Sequence, residues 1–115
     1  SGFPALDLGL LGMGEDGHVA SLFPGTAAKD ERHRVVTANY VPQKDTWRLT
    51  FTWPVIQAAG NIWMLVTGAA KAPVVASVLS EQPGCEQYPA AHVRTATGAP
   101  TWWLDRAAAS EFYGG

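Results

Sequence analysis

The sequence predicts an α/β fold, with a Rossmann-like, open and mainly parallel sheet and flanking helices. Two short runs, 6–11 and 61–67, are apolar almost throughout, which suits strands buried on both faces of a parallel sheet. Each run ends at a glycine, and a helical pattern follows the second. The 115 residues equal one ordinary domain, so a multidomain organisation is not expected.

The first strand, 6–11, leads into a loop at 12–17 that contains three glycines. Residues 18–23 leave room only for a short helical turn, because Pro24 disfavours helical geometry in the residue before it. Two further strands are predicted at 34–40 and 47–52. Alternation in the second of these puts Arg48, Thr50 and Thr52 on one face and Leu49 and Phe51 on the other.

Three helices complete the predicted pattern. Thr52 caps the first helix, which has Pro54 in its first turn and ends at Gly60. The second covers 69–81. The third follows a loop at 83–91 and a short strand at 92–95; Thr101 caps it, and it extends through Phe112. The five tryptophans are expected mainly to pack inside the molecule: Trp47, Trp53, Trp63, Trp102 and Trp103.

Charge and cysteine content narrow the function classes. Charged residues make up 16% of the chain and the formal net charge is −2, without a block of either sign, so neither nucleic-acid binding nor a membrane-surface patch is indicated. No apolar run is long enough to cross a bilayer. The single cysteine, Cys85, forms no internal disulfide, and the neighbouring Glu81 and Glu86 argue against a reactive thiolate, so a cytoplasmic small-molecule enzyme is favoured.

Gly12, Gly14 and Gly17 match the spacing of the dinucleotide-binding fingerprint. The context does not fit that site. A dinucleotide fold needs a long helix after the third glycine, and an acidic residue about 20 positions further on. Pro24 ends any helix early, and the apolar or neutral residues 35–37 occupy the acidic position, so a nicotinamide cofactor is not expected.

The same loop places Asp16 two residues before His18. Histidine accepts a proton near neutral pH, and a neighbouring carboxylate orients its ring, so the pair has the parts of a general base that activates water. The alternative is that Asp16 only caps the turn and His18 is an ordinary surface residue. For an isolated Asp-Gly-His sequence this alternative is the better interpretation.

The wider sequence favours the catalytic interpretation. Residues 7–25, DLGLLGMGEDGHVASLFPG, resemble nearly position by position the signature of the 6-phosphogluconolactonase family. Segments 48–56, 65–72 and 101–109 follow the same family's order and spacing, so the resemblance covers essentially the whole chain.

The resemblance implies hydrolysis of 6-phospho-D-glucono-1,5-lactone to 6-phosphogluconate in the oxidative pentose phosphate pathway, without a metal or organic cofactor. It puts His18 at the catalytic histidine and Asp16 beside it as the orienting carboxylate. Candidate phosphate contacts are basic side chains, since guanidinium groups pair with phosphate oxygens and helix N-termini favour anions. The expected substrate-binding residues are Gly14, Gly17, Ser21, Arg48 and Lys71, with Lys44 as a further candidate.

Two other functions stay open. Glucosamine-6-phosphate deaminases resemble the chain in fold and in the Asp-Gly-His loop, but Phe23 stands where those enzymes place an acidic residue, so lactone hydrolysis is preferred. A sugar-phosphate-sensing module would bind ligand without turnover. Family members are also longer, with an N-terminal half that is missing here. We therefore expect residues 1–115 to be the C-terminal portion of one such domain, with exposed apolar surface on one side.

Overall fold

The computed structural model describes residues 2–113. In chain order the elements are β1 (Leu8–Leu11), β2 (Val36–Val41), β3 (Thr46–Phe51), α1 (Trp53–Ala58), β4 (Asn61–Val66), α2 (Ala72–Leu79), β5 (Thr101–Leu104) and α3 (Ser110–Tyr113). Single 3-10 turns lie between them at Ala27–Asp30, Pro42–Lys44, Ala69–Lys71, Cys85–Gln87 and Pro89–His92. None of the helices formed by residues 2–113 is long and apolar enough to cross a membrane.

The strands form two separate sheets. Strands β1, β4 and β5 pair in parallel in the order β1-β4-β5, with Leu10 opposite Trp63 and Trp63 opposite Thr101. Strands β2 and β3 form an antiparallel hairpin. The mainly parallel α/β architecture confirms the predicted fold class, and the loops after β1 and β4 leave the sheet from the same edge.

One face of the parallel sheet is covered and forms the core. It carries Ile62, Met64 and Val66 of β4, which are almost completely buried. They belong to one apolar cluster with Ile56 of α1 and Val75 of α2. Burial of apolar side chains such as these stabilises the fold.

The opposite face of the same sheet is exposed among the described residues. Five large apolar side chains on it keep 39–59% of their surface accessible: Leu8, Leu10, Trp63, Leu65 and Trp103. This is the exposed apolar side expected from the sequence. The prediction that the tryptophans pack inside is wrong for Trp63 and Trp103, whose rings contact each other at 5.3 Å between centroids, and for Trp47, which is 68% exposed.

The β2–β3 hairpin turns its polar face inward. Asn39 and Thr50 are buried, whereas Trp47, Leu49 and Phe51 on the other face are exposed. The alternation predicted for residues 47–52 is therefore present. A buried polar face is stable only when its groups find hydrogen-bond partners, and those partners lie in the loop that follows β1.

Three local predictions are wrong. Residues 18–23 form no helical turn; Val19 and Leu22 instead make an isolated antiparallel bridge. Residues 92–95 are not a strand, because the 3-10 turn ends at His92 and an irregular loop follows. Residues 101–104 form β5 rather than the start of a helix, since they pair with β4 along one edge, and Asp105 caps the turn that comes next.

Candidate active site

The loop after β1 is closed by its own backbone. Gly17 N–H donates to the Gly14 carbonyl, and Gly14 N–H donates to the His18 carbonyl, both at 3.0 Å. Gly17 has φ +81°, a conformation that favours glycine, and a Cβ there would lie 2.7 Å from the Tyr88 Cβ. The Gly17 carbonyl also accepts a hydrogen bond from Ala90 N–H at 2.9 Å, so the 3-10 segment 85–92 holds the loop in place.

Within this loop Asp16 and His18 form a pair. The Asp16 Oδ1 atom lies 2.6 Å from His18 Nδ1 and also accepts the His18 backbone N–H at 3.1 Å. The carboxylate therefore caps the turn and orients the ring at the same time. Because an ionised carboxylate only accepts, it favours the neutral tautomer of His18 with the proton on Nδ1, and in that tautomer Nε2 has the free lone pair.

The pKa of Asp16 lies below its ordinary value. Partial burial of the carboxyl raises its pKa, but hydrogen bonds from the His18 ring and backbone N–H, together with the attraction of the His18 ring, outweigh that effect. The carboxylate is thus ionised throughout the neutral range, which is the state that can hold His18 Nδ1–H.

Gly14 has no side chain, and this leaves room for the Asp16–His18 pair. A Cβ on Gly14 would overlap the His18 ring and lie 3.0 Å from Asp16 Oδ1. The requirement here is for close approach of side chains, since the backbone of Gly14 is outside the left-handed region.

Next to the Asp16–His18 pair lie an aromatic ring, Phe23, and beyond it a cation, Arg48. The Phe23 ring, itself only 2% exposed, stacks on the His18 ring with centroids 4.0 Å apart and planes inclined by 21°. The Arg48 guanidinium lies 5.8 Å from the centre of the Phe23 ring. No carboxylate among residues 2–113 pairs with Arg48, so its charge is available for an anion.

Ser21 is held by hydrogen bonds from its backbone. Its N–H donates to Thr50 Oγ1 at 3.1 Å, and its carbonyl accepts from Asn39 Nδ2 at 2.9 Å. Asn39, which holds the segment after His18, was not among the residues predicted for the site. Its place on the polar face of a predicted strand was the available signal, but nothing in the sequence shows what that face contacts.

The other predicted phosphate ligands form no hydrogen bond or ion pair with Asp16 or His18 within residues 2–113. Lys71 ends the 3-10 turn after β4, at the sheet edge from which the glycine loop also leaves, and makes no ion pair with the described residues. Lys44 is exposed at the tip of the β2–β3 hairpin. The Gly68 N–H, which opens the Lys71 turn, donates to the Asp105 carboxylate at 3.1 Å and is occupied by that side chain.

Residues 2–113 contain no group of three or more His, Cys, Asp or Glu side chains arranged to hold a metal ion. His92 contacts the Glu86 carbonyl at 2.7 Å through Nε2 and packs against Trp53. The site thus brings together an imidazole oriented by Asp16, the stacked Phe23 ring and the Arg48 guanidinium.

Comparison with known proteins gives a consistent result. A 6-phosphogluconolactonase from Nostoc sp. is 44% identical over 110 residues, which are 95% of this chain and 44% of the relative. The crystal structure of a protein named devB matches with a TM-score of 0.83 and 38% identity, over 96% of this chain and 46% of that one. A monomeric glucosamine-6-phosphate deaminase matches with a TM-score of 0.64 and 28% identity, over 91% of this chain and 47% of that one.

The chain thus spans less than half the length of the relatives it matches. A family model described as glucosamine-6-phosphate isomerases/6-phosphogluconolactonase matches residues 1–103. With that match over nine-tenths of its length, and with an Asp-His pair in a glycine loop at the end of a parallel strand, the chain belongs to the glucosamine-6-phosphate isomerase/6-phosphogluconolactonase family.

Proposed function

We propose that the chain carries the catalytic histidine of an enzyme that hydrolyses 6-phospho-D-glucono-1,5-lactone to 6-phosphogluconate. The observation that carries the proposal is the 2.6 Å contact between Asp16 Oδ1 and His18 Nδ1, which leaves Nε2 as the proton acceptor. The relative from Nostoc sp., named 6-phosphogluconolactonase, supports the choice of substrate.

In the proposed reaction, His18 Nε2 takes a proton from water while the water oxygen bonds to the lactone carbonyl carbon. The carbonyl electron pair moves to its oxygen and a tetrahedral intermediate forms. When the carbonyl re-forms, the bond to the ring oxygen breaks, and that oxygen takes the proton from His18. Asp16 stabilises the imidazolium that exists between the two transfers.

The phosphate of the substrate is distant from the reacting carbonyl and needs its own cation. We assign this role first to Arg48, because it has no carboxylate partner within residues 2–113 and its guanidinium can bind phosphate oxygens in pairs. Lys71 is the second candidate, at the same sheet edge as the catalytic loop. Gly14, Gly17 and Ser21 form the backbone of the loop that we expect to face the substrate.

We further propose that residues 1–115 are the C-terminal portion of one lactonase domain. Relatives more than twice as long and the exposed apolar face of the parallel sheet support this. In that case the remainder of the domain adds groups to the substrate site, and lactonase activity requires the complete domain. The cytoplasmic setting stays a prediction from the sequence.

The test is a lactonase assay on the intact protein, with spontaneous hydrolysis of the lactone subtracted. We expect His18→Gln to lower kcat by about 100- to 10,000-fold, the usual contribution of a general base. The matched control is His33→Gln, at an exposed histidine, which should keep the wild-type rate. Full activity in His18→Gln would contradict the general-base role.

The structural match to a deaminase supports a second candidate, release of ammonia from glucosamine 6-phosphate. Phe23 argues against it, because by the family resemblance it stands where the deaminases place an acidic residue. Assays with both substrates separate the two candidate functions. Ammonia release without lactone hydrolysis would favour the deaminase over the lactonase. Binding of both ligands without turnover would identify a sensing module instead.

A further inference from the structure

We propose that Asn39 is a positioning residue that fixes the orientation of the His18 ring through Phe23. The inference rests on the proposed lactonase function and adds to it a residue outside the catalytic loop. Asn39 lies in β2, 21 positions after His18, and is 1% exposed.

The Asn39 amide forms three hydrogen bonds with the segment that follows His18. Its Nδ2 donates to the Ser21 carbonyl and to Thr26 Oγ1, each at 2.9 Å, and its Oδ1 accepts Ala28 N–H at 3.1 Å. One side chain thus holds three points of the segment 21–28. Buried amides with all groups paired are costly to remove, because each lost partner leaves a desolvated polar group.

These hydrogen bonds connect Asn39 to His18 through Thr26 and Phe23. Thr26 Oγ1, which accepts from Asn39, donates to the Phe23 carbonyl at 2.7 Å. The Phe23 ring then lies flat against the His18 ring. Asp16 fixes one ring nitrogen of His18, but a single hydrogen bond leaves the imidazole free to tilt. The stacked ring removes that freedom, and Asn39 and Thr26 hold the Phe23 backbone that carries it.

The hairpin supplies a further neighbour of the Phe23 ring, Arg48. Asn39 lies directly opposite Arg48 in the β2–β3 pair, and the Arg48 guanidinium approaches the Phe23 ring. Phe23 is therefore held from its backbone by the Asn39 network and from its ring by His18 and Arg48. A shift of about 1 Å in such a positioning group is enough to slow a reaction strongly.

The test uses NMR of the histidine ring protons in the intact protein, together with lactonase kinetics. A ring stacked on Phe23 has its proton signals displaced by the aromatic ring current, and His33 and His92 serve as internal references. In Asn39→Ala we expect the His18 signals to move toward those of an unstacked histidine, with the reference signals unchanged. We expect kcat to fall by about 10- to 100-fold and KM to change by less than about twofold.

Three further variants keep the test decisive. Val41→Ala removes a fully buried side chain from the same face of β2 without touching the Asn39 amide, so it should leave the His18 signals in place. Thr26→Val removes the hydroxyl and should reproduce the His18 shift, whereas Thr26→Ser keeps the hydroxyl and should restore the wild-type spectrum and rate.

The inference is overturned if Asn39→Ala and Thr26→Val fold with unchanged His18 signals and kcat. It is also overturned if Val41→Ala produces the same changes, since Asn39 would then act only through general stability. The spectra do not depend on turnover, so a protein that lacks lactonase activity but shows the His18 shift would contradict the proposed function and not the positioning role.

Discussion

At the residue scale, the site depends on the side chains of Asp16 and His18 and on the absence of a Cβ at Gly14. Asp16 and His18 are two positions apart, and both the backbone N–H and the ring of His18 turn toward the same carboxylate oxygen. That arrangement is possible because Gly14 has no Cβ in the space that the ring occupies. The three residues act as one unit: a change at Gly14 tests the space around the His18 ring, and a change at Asp16 tests the carboxylate that holds it.

Gly14→Ala should disable the site while leaving the fold intact. The added Cβ would overlap the His18 ring, so we expect displacement of the Asp16–His18 pair and a loss of lactonase kcat/KM of about 100-fold or more. Gly12→Ala is the matched control from the same loop, because a Cβ there meets nothing closer than the Leu65 carbonyl at 4.0 Å. Equal activities of the two variants would refute this explanation of Gly14.

Asp16→Asn should change how stability depends on pH. The folded-state pKa of Asp16 is lowered, so its contribution is complete above its ordinary value of 3.8 and disappears as the pH falls through the lower folded value. We expect wild type to exceed Asp16→Asn by at most about 1 kcal/mol near pH 6, because a pair this exposed is screened.

The measurement is urea unfolding of both proteins between pH 6 and about pH 2.5. The difference in unfolding free energy should shrink at the acidic end, where the carboxyl is protonated in both states. Glu15→Gln, at the exposed neighbouring position, should show no such trend. A difference that grows toward acid would mean that the pKa of Asp16 is raised in the folded protein.

At the scale of elements, the glycine loop is held between two partners. On one side the β2–β3 hairpin presents Asn39 and Thr50 to the segment after His18. On the other side the 3-10 segment 85–92 contacts Gly17 through Tyr88 and Ala90. The loop itself contains no regular secondary structure, so these two contacts give the Asp16–His18 pair its fixed place in the molecule.

Gly17→Ala tests the second contact. It places a non-glycine residue at φ +81° and brings its Cβ to 2.7 Å from Tyr88, so we expect a loss of stability of more than about 1 kcal/mol and reduced activity. Gly25→Ala is the control, with φ +73° and open space around the Cβ, and should show only the conformational cost of about 1 kcal/mol. Thermal unfolding of both variants separates steric from conformational effects; equal losses would mean that the Tyr88 contact is unimportant.

At the scale of the whole molecule, the parallel sheet has one covered face and one exposed face. Strands of parallel sheets are normally buried on both faces, and the low charge of the chain agrees with a surface meant for further polypeptide. The outer face of the hairpin is apolar as well, with Trp47 and Leu49 more than two-thirds exposed. Exposed apolar area of this kind marks an interaction surface or a tendency to associate.

The 115-residue chain prepared by itself should therefore bind an apolar fluorescent dye and self-associate as concentration rises. The double variant Leu10→Lys with Leu65→Lys, on the exposed face, should reduce both effects, whereas Gln57→Lys on the exposed surface of α1 should change neither. Dye titration and sedimentation measure the two effects. Wild-type chain that binds no dye and stays monomeric would contradict the exposed face.

Prediction from the sequence succeeded where the structure depends on neighbours along the chain. The strands at β1, β3 and β4 and the helices α1 and α2 were predicted within a few residues, because apolar runs, proline and glycine act locally. It failed at residues 101–104, where Thr101 before an apolar run was interpreted as a helix cap although the segment pairs with β4 as a strand and its Thr and Trp residues favour one. A lone threonine before apolar residues resembles a helix cap until that partner is known.

The sequence by itself determined the α/β class, the family and the Asp16–His18 pair, since two residues joined by one glycine reach each other within a single turn. Only the tertiary structure decided that the polar face of the hairpin turns inward, that Asn39 and Thr26 hydrogen-bond to the segment after His18, and that Phe23 stacks on the His18 ring. It also decided that Arg48, 30 positions from His18, approaches the Phe23 ring, whereas Lys71 makes no ion pair with the described residues. The reason is physical: short-range hydrogen bonds follow from spacing, whereas contacts between distant segments depend on which surfaces the whole chain buries together.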